Sequence, residues 1–252
     1  MMRVKNIFVR VFAVVLALGT WQAASAAFKS DLILVSPVNV LMRLTTIWTE
    51  EGFFSTLLSS FSHITTGFFA GLLSGAVLAV AAGRFKAIEI LLRPYMTVIK
   101  SVPVASFIIV AIMVFSSVYL SIFISFLMSL PVVYTNLLAG IKNTDKKMTE
   151  MADIFGLSWQ KRFLYIILPG LRPYILSACS LSVGLAWKSG VAAELIGIPA
   201  GSVGEALYYT KVYFDSVDLF AWTVIIVAVS LIFEKFITLL IKMAFAALER
   251  KK

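Results

Sequence analysis

Charge is scarce in this chain. Only 14% of its 252 residues are Asp, Glu, Lys or Arg, against about 25% in an ordinary soluble domain. With 60% hydrophobic residues and a mean hydropathy of +0.96, a water-soluble fold would have too little polar surface to cover itself. Cys179 is the only cysteine, which excludes an internal disulfide and a thiolate metal cluster. His63 is the only histidine, so a multi-histidine metal site within one chain is excluded. No cofactor is expected. There is no G-x-x-x-x-G-K-[ST] phosphate loop, so the chain alone does not bind and hydrolyse ATP. No internal repeat and no low-complexity tract is visible.

What the chain has instead is long apolar runs. A helical span takes about 20 apolar residues to cross the hydrocarbon of a bilayer. Six stretches meet that need: Ile7–Phe28, Phe61–Ala82, Tyr95–Phe115, Val118–Ile141 with Pro131 inside it, Tyr174–Leu195 and Leu219–Ala247. The sequence therefore predicts an all-α polytopic membrane protein with six transmembrane helices. Its parts are an N-terminal anchor over 1–28, an extracytoplasmic segment over 29–60, and a five-helix core over 61–252 with a cytosolic loop at 142–172. Met1–Phe28 has a rival reading, because Ala24-Ser25-Ala26 resembles a signal-peptide cleavage site.

The formal charge of +9 suggests nucleic acid or a membrane protein with a positive inner face, and the positions favour the second. Arg3, Lys5 and Arg10, then Arg84, Lys86 and Arg93, then Lys142, Lys146, Lys147, Lys161, Arg162 and Arg172, then Arg250, Lys251 and Lys252 all fall on one side of a six-span chain. That side is the cytosol. The opposite loops hold Lys29, Arg43 and Lys211 against Asp31, Glu50, Glu51, Glu205, Asp215 and Asp218. Both termini are then cytosolic, and no nucleic-acid partner is expected.

Two outer segments carry helix-start chemistry. Ser36 is placed to cap a short helix with Pro37 in its first turn, running to about Trp48. A second short helix is expected within 197–218. The cytosolic loop reads as two short helices around a turn. Residues 145–155 carry Met148, Met151, Ala152 and Phe155 near helical spacing. Gly156 is free to adopt positive φ and end the first helix. Ser158 is the expected cap of the second, with Trp159, Phe163, Ile166 and Ile167 as its stripe. Pro169 is expected to stop that helix before the fifth span.

This loop resembles the "EAA" loop of ABC importer permeases, E-A-A-x3-G-x9-I-x-L-P. Glu150, Ala152, Gly156, Ile166, Leu168 and Pro169 match at the family's spacing, and Met151 departs where the family usually has Ala. Ser36-Pro37-Val38-Asn39-Val40-Leu41 resembles a segment of the nitrate/sulfonate/taurine branch. So do Leu92-Arg93-Pro94 through Pro103, Ala186-Trp187, Ala192-Ala193-Glu194 and Gly204. The resemblance implies a type I importer permease fold, in which the loop acts as a coupling helix docked on separate ATP-binding cassette ATPase subunits. It further implies an extracytoplasmic solute-binding protein and, from six spans per chain, a permease homodimer embedded in membrane lipid. The small-molecule solute would be anionic and sulfonate-, nitrate- or taurine-like.

Candidate path residues are those that cost most inside a membrane. Lys188 in the fifth span would attract an anion, or else snorkel to the interface or pair with an acid. Lys100 is a similar case near the cytosolic end. Ser125, Ser129, Tyr134, Thr135 and Asn136 of the fourth span are the polar candidates to line a translocation path. Gly67, Gly71 and Gly75 have the small-xxx-small spacing of close helix contact. Alternatives are a neutral or heterocyclic vitamin precursor as solute, a secondary transporter, or a membrane-embedded enzyme. The enzyme reading lacks the intramembrane cluster of ionisable groups it would need.

Overall fold

The computed structural model describes residues 2–28 and 34–249. Lys29 and Asp31, assigned above to an outer loop, and Arg250, Lys251 and Lys252, assigned to the inner face, lie outside the described residues. The described residues are helical, without strands. In chain order they form α1 (Met2–Phe28), α2 (Pro37–Thr46) running into a 3-10 turn, α3 (Phe53–Arg84), α4 (Lys86–Ser101), α5 (Val104–Ile112) and α6 (Ser117–Lys142). Then come α7 (Lys146–Ile154), α8 (Trp159–Arg162), a π turn (Phe163–Ile167), α9 (Leu168–Gly197), α10 (Val203–Val212) and α11 (Ser216–Glu249).

Among the described residues, four helical stretches are long and apolar enough to cross a membrane: Phe53–Arg84, Ser117–Lys142, Trp159–Gly197 and Ser216–Leu248. The predicted third span is not one helix. α4 and α5 meet at 98°, and together they supply at most a fifth crossing. Pro103 is the cause. It has no N–H to donate, and the residue before a proline is held extended; Val102 has φ −77° and ψ 133°. The apolar part of α1, Phe12–Phe28, is shorter than the others. The second span begins at Phe53 instead of Phe61, which leaves His63 inside α3 and half-buried.

α3, α6 and α9 form the centre of the bundle. α3 lies against α6 along a seam of glycines. A Cβ on Gly71 would sit 2.7 Å from Ser129 Cβ and 2.9 Å from the Phe126 carbonyl. One on Gly75 would sit 2.8 Å from the Leu130 carbonyl and 2.9 Å from Val133 Cβ. The three glycines thus act in packing, as their spacing suggested. α6 runs unbroken through Pro131, whose ring is fully buried. Behind the seam, Ile64 and Phe68 of α3 meet Cys179, Val183 and Trp187 of α9 and Phe233 of α11 in one apolar cluster.

The end of the bundle that carries α2 and α10 is tied by polar contacts. Ser36 Oγ accepts from Asn39 N–H at 3.2 Å, the expected cap of α2. Arg43 of α2 donates to Asp218 at the start of α11 through both Nε and Nη2, and also to Glu50. These carboxylates hold the Arg43 guanidinium protonated well above its ordinary value, against the opposing effect of burial. α10 is the expected second short helix. Ser202 Oγ accepts from Glu205 N–H at 3.0 Å, and the Glu205 carboxylate accepts from Gly201 N–H at 2.6 Å. Together these satisfy donors that the helix start leaves open.

Candidate coupling loop and polar cleft

The loop between α6 and α9 is built from local capping chemistry. Asp145 Oδ1 accepts from Lys147 N–H at 2.9 Å and starts α7. Gly156, at φ +62°, ends it. Leu157 N–H donates to the Ala152 carbonyl at 2.9 Å and Gly156 N–H to the Asp153 carbonyl at 3.1 Å. This is the paired closure that a glycine just past a helix end makes possible. Ala152 is fully buried, so the small side chain at that position is set by space. Arg162 of α8 meets Asp153 of α7 at 2.6 Å, which clamps the two helices across the turn.

Ser158 has the extended backbone of a cap (φ −60°, ψ 152°) but makes no side-chain cap bond. Pro169 does not stop the helix, contrary to expectation. The chain stays helical from Trp159 to Gly197. Leu168 N–H reaches back to the Phe163 carbonyl, and this wider π turn removes the need for an ordinary i→i−4 donor at Pro169. Ile166, Leu168 and Pro169 are half-buried at this junction, and Glu150 is exposed on α7.

Around the turn lies an apolar surface facing out. Ile154 is 84% exposed, Phe155 73% and Trp159 71%, and Trp159 stacks on Phe163 with ring centroids 5.5 Å apart. Met151, at the position that departs from the family pattern, is also exposed. An exposed apolar patch of this kind is a candidate contact surface for a protein or a membrane.

Of the candidate path residues, Lys100 meets Thr135, whereas Ser125, Ser129, Asn136 and Lys188 do not share one site. Ser125 and Ser129 are fully buried inside the chain's own packing. Ser125 Oγ donates to the Ala186 carbonyl at 3.0 Å and Ser129 Oγ to the Ser125 carbonyl at 2.7 Å. Asn136 is half-buried; its Nδ2 donates to the Val132 carbonyl at 2.8 Å, and its Oδ1 accepts weakly from Ser177 Oγ at 3.5 Å. Lys188 is exposed and lines a groove between α9 and α11 with Trp187, Val191, Ile226 and Glu234. Glu234 itself accepts from Ser180 Oγ of α9, so its contact crosses between helices instead of staying within α11.

Two polar arrangements join residues already named, Glu194 in one and Lys100, Tyr134 and Thr135 in the other, in contacts the sequence does not show. The first centres on Glu194, fully buried at the C-terminal end of α9. Its Oε2 accepts from Ser60 Oγ at 2.6 Å and from Gly204 N–H at 3.4 Å, and Ser60 Oγ accepts from Val203 N–H at 2.8 Å. One carboxylate thereby ties α3 and α9 to the N-terminus of α10, where a negative group is favoured. The glycine at 204 is what lets α10 come so close, since any Cβ there would overlap Glu194. The second is a cleft of about 430 Å³ between α4 and α6, lined by Glu89, Arg93, Met96, Thr97, Lys100, Tyr134, Thr135 and Leu138. Lys100 Nζ donates to Thr135 Oγ1 at 3.0 Å. Glu89 accepts from Lys142 and Lys86, which hold its carboxyl below the ordinary glutamate range.

Comparison with known proteins points the same way. Residues 67–251 match the binding-protein-dependent transport system inner membrane component family. The chain is 28% identical over 230 residues to the aliphatic sulfonates transport permease protein SsuC of Bacillus subtilis (strain 168), covering 90% of this chain and 82% of that one. It is 29% identical over 206 residues to the taurine transport system permease protein TauC of Escherichia coli (strain K12), covering 74% and 72%. It is 27% identical over 195 residues to the nitrate import permease protein NrtB of Synechococcus elongatus, covering 73% and 70%. In fold it is similar to a crystal structure of an amino acid ABC transporter with histidines, at a TM-score of 0.56 and 17% identity over 81% of this chain and 95% of that one. Such proteins work with a separate ATPase and a solute-binding protein, and are not enzymes themselves. With its several apolar spans and its match across most of its length, the chain belongs to the binding-protein-dependent transport system inner membrane component family, as a permease subunit of an ABC importer.

Proposed function

We propose that this permease carries a small oxyanion, of the sulfonate, taurine or nitrate type, across the cytoplasmic membrane as a homodimer. Each protomer crosses six times, with α1 and the α4–α5 pair counted as spans and both termini cytosolic. The named relatives act on sulfonates, taurine and nitrate, which supports an anion over a neutral heterocycle. The ATPase docks on the loop from Glu150 to Pro169. The observation that carries this is the loop itself. Its first helix is ended by Gly156, its two helices are pinned by Asp153–Arg162, and Ile154, Phe155 and Trp159 stay largely exposed among the described residues. A rigid, sticky lever of this kind transmits movement of a bound ATPase to α6 and α9, the helices at its two ends.

The test is transport by the assembled complex of permease, ATPase and binding protein. Gly156→Pro denies the turn its positive φ, and Glu150→Lys reverses charge on the docking helix. Both are expected to abolish ATP-driven uptake while the permease still inserts in the membrane. Full uptake by both variants would remove the docking claim.

A further inference from the structure

The cleft between α4 and α6 joins features that packing alone does not require. Arg93, Thr97 and Lys100 follow one another at i, i+4 and i+7, so they share one face of α4. Thr135 and Tyr134 of α6 face them across about 430 Å³. Among the described residues, neither Arg93 nor Lys100 meets an acidic side chain within ion-pair distance. The one carboxylate lining the cleft, Glu89, is already matched by Lys86 and Lys142. The cleft therefore carries positive charge with no internal counter-charge. Eleven residues at 1.5 Å each put Lys100 about 16 Å from Glu89 along α4, and Arg93, Thr97 and Lys100 are all exposed to the cleft side. Cations on a span-forming helix that meet no carboxylate usually serve a ligand or an ion pathway.

We infer that this cleft, centred on Lys100, Arg93, Thr97 and Thr135, is an anion-binding station on the translocation path, and that it selects an organic sulfonate over a bare inorganic anion. This rests on the oxyanion reading above and assigns it a place. The ammonium, guanidinium and hydroxyl groups supply donors in several directions, which suits a three-oxygen headgroup. Met96 and Leu138 line the same cleft with apolar surface, which suits a short alkyl tail and gives nitrate nothing to hold. Lys188, in a groove that already contains Glu234, lacks this combination.

The experiment uses the permease–ATPase complex in lipid nanodiscs with Cys179→Ala and Thr97→Cys. The thiol is treated with 2-sulfonatoethyl methanethiosulfonate, itself an organic sulfonate, or with the trimethylammonium-ethyl analogue. Each rate is divided by that reagent's rate with a free thiol. The expected ratio favours the sulfonate reagent by about fivefold or more, as two nearby uncompensated positive charges should produce. Lys100→Gln with Arg93→Gln brings it to about parity, and Lys100→Arg keeps it. Ethanesulfonate slows the reaction, and nitrate at equal concentration slows it less. A thiol that reacts with neither reagent, a ratio near one, or a ratio indifferent to the two Gln substitutions overturns the site. Uptake of ethanesulfonate and nitrate by the unsubstituted complex with its binding protein separates the two levels. Uptake together with an indifferent ratio sinks this cleft and leaves the oxyanion reading standing; absence of uptake of either anion sinks both.

Discussion

Replacing Gly71 with Ala tests the glycine seam. The new Cβ would lie 2.7 Å from Ser129 Cβ and 2.9 Å from the Phe126 carbonyl oxygen, with Leu130 N at 3.2 Å. Ordinary van der Waals contact begins near 3.4 Å, and two of the three atoms are α6 backbone, which no side-chain rotation moves. α3 and α6 must separate by roughly half an ångström or more. Overpacking of this kind costs about 1–3 kcal/mol, and the better helix propensity of Ala returns up to about 1 kcal/mol. The net loss, up to about 2 kcal/mol when the propensity gain is realised in full, corresponds to a fall of up to roughly 8 °C in Tm for a chain of this size. The assay is thermal unfolding of the detergent-purified permease. Gly71→Ala with Ser129→Gly should recover only part of the loss, because the Phe126 carbonyl remains. Gly184→Ala is the control: its Cβ meets nothing within 4 Å, so Tm should hold or rise. If Gly71→Ala unfolds at the temperature of the unsubstituted permease, or if Gly184→Ala costs as much, the seam does not position α6.

Further outcomes follow from the same geometry. Glu194→Ala leaves the buried Ser60 hydroxyl and Gly204 N–H without an acceptor, at about 1–3 kcal/mol per group. Glu194→Gln should be milder, because the amide oxygen still accepts from Ser60; equal Tm losses for the two would contradict the tie between α9 and α10. Arg43→Ala and Asp218→Asn should each lower Tm and show coupling in a double-mutant cycle, whereas additive effects would mean that α2 and α11 are not held together there. At Glu89 the folded carboxyl is depressed, so its contribution is present above the ordinary glutamate range and lost only as pH falls below it. Resistance of α4 to limited proteolysis should accordingly survive mild acidification, and Lys142→Ala should remove that resilience. Lys188→Ala should leave uptake kinetics intact if the α4–α6 cleft, not the α9–α11 groove, meets the solute.

The parts legible in the sequence are those that local chemistry decides. Gly156 and the capping residues Ser36 and Asp145 act on backbone groups within a few residues, and the apolar runs specify helices wherever they pack. The break at Val102-Pro103 was also written locally, but a proline inside an apolar run reads equally well as a kink, and Pro94, Pro131 and Pro173 all sit inside continuous helices. Pro169 misled for a similar reason: a π turn one residue away supplied the room it needed. The packing role of Ser125 and Ser129 was not legible, because the rotation of α6 decides whether they point to a pore or to Gly67, Gly71 and α9. That rotation is set by glycines more than fifty residues away. Glu194 was invisible as a tie for the same reason, since its partner Ser60 is 134 residues distant.

The central claim is that this chain is powered by a separate ATPase through the Glu150–Pro169 loop. The most direct measurement is ethanesulfonate and nitrate uptake into proteoliposomes holding the permease and binding protein, with and without the ATPase subunit and ATP. The account predicts uptake only when ATPase and ATP are both present, and none when the loop carries Gly156→Pro. Uptake driven by an ion gradient without the ATPase would contradict it.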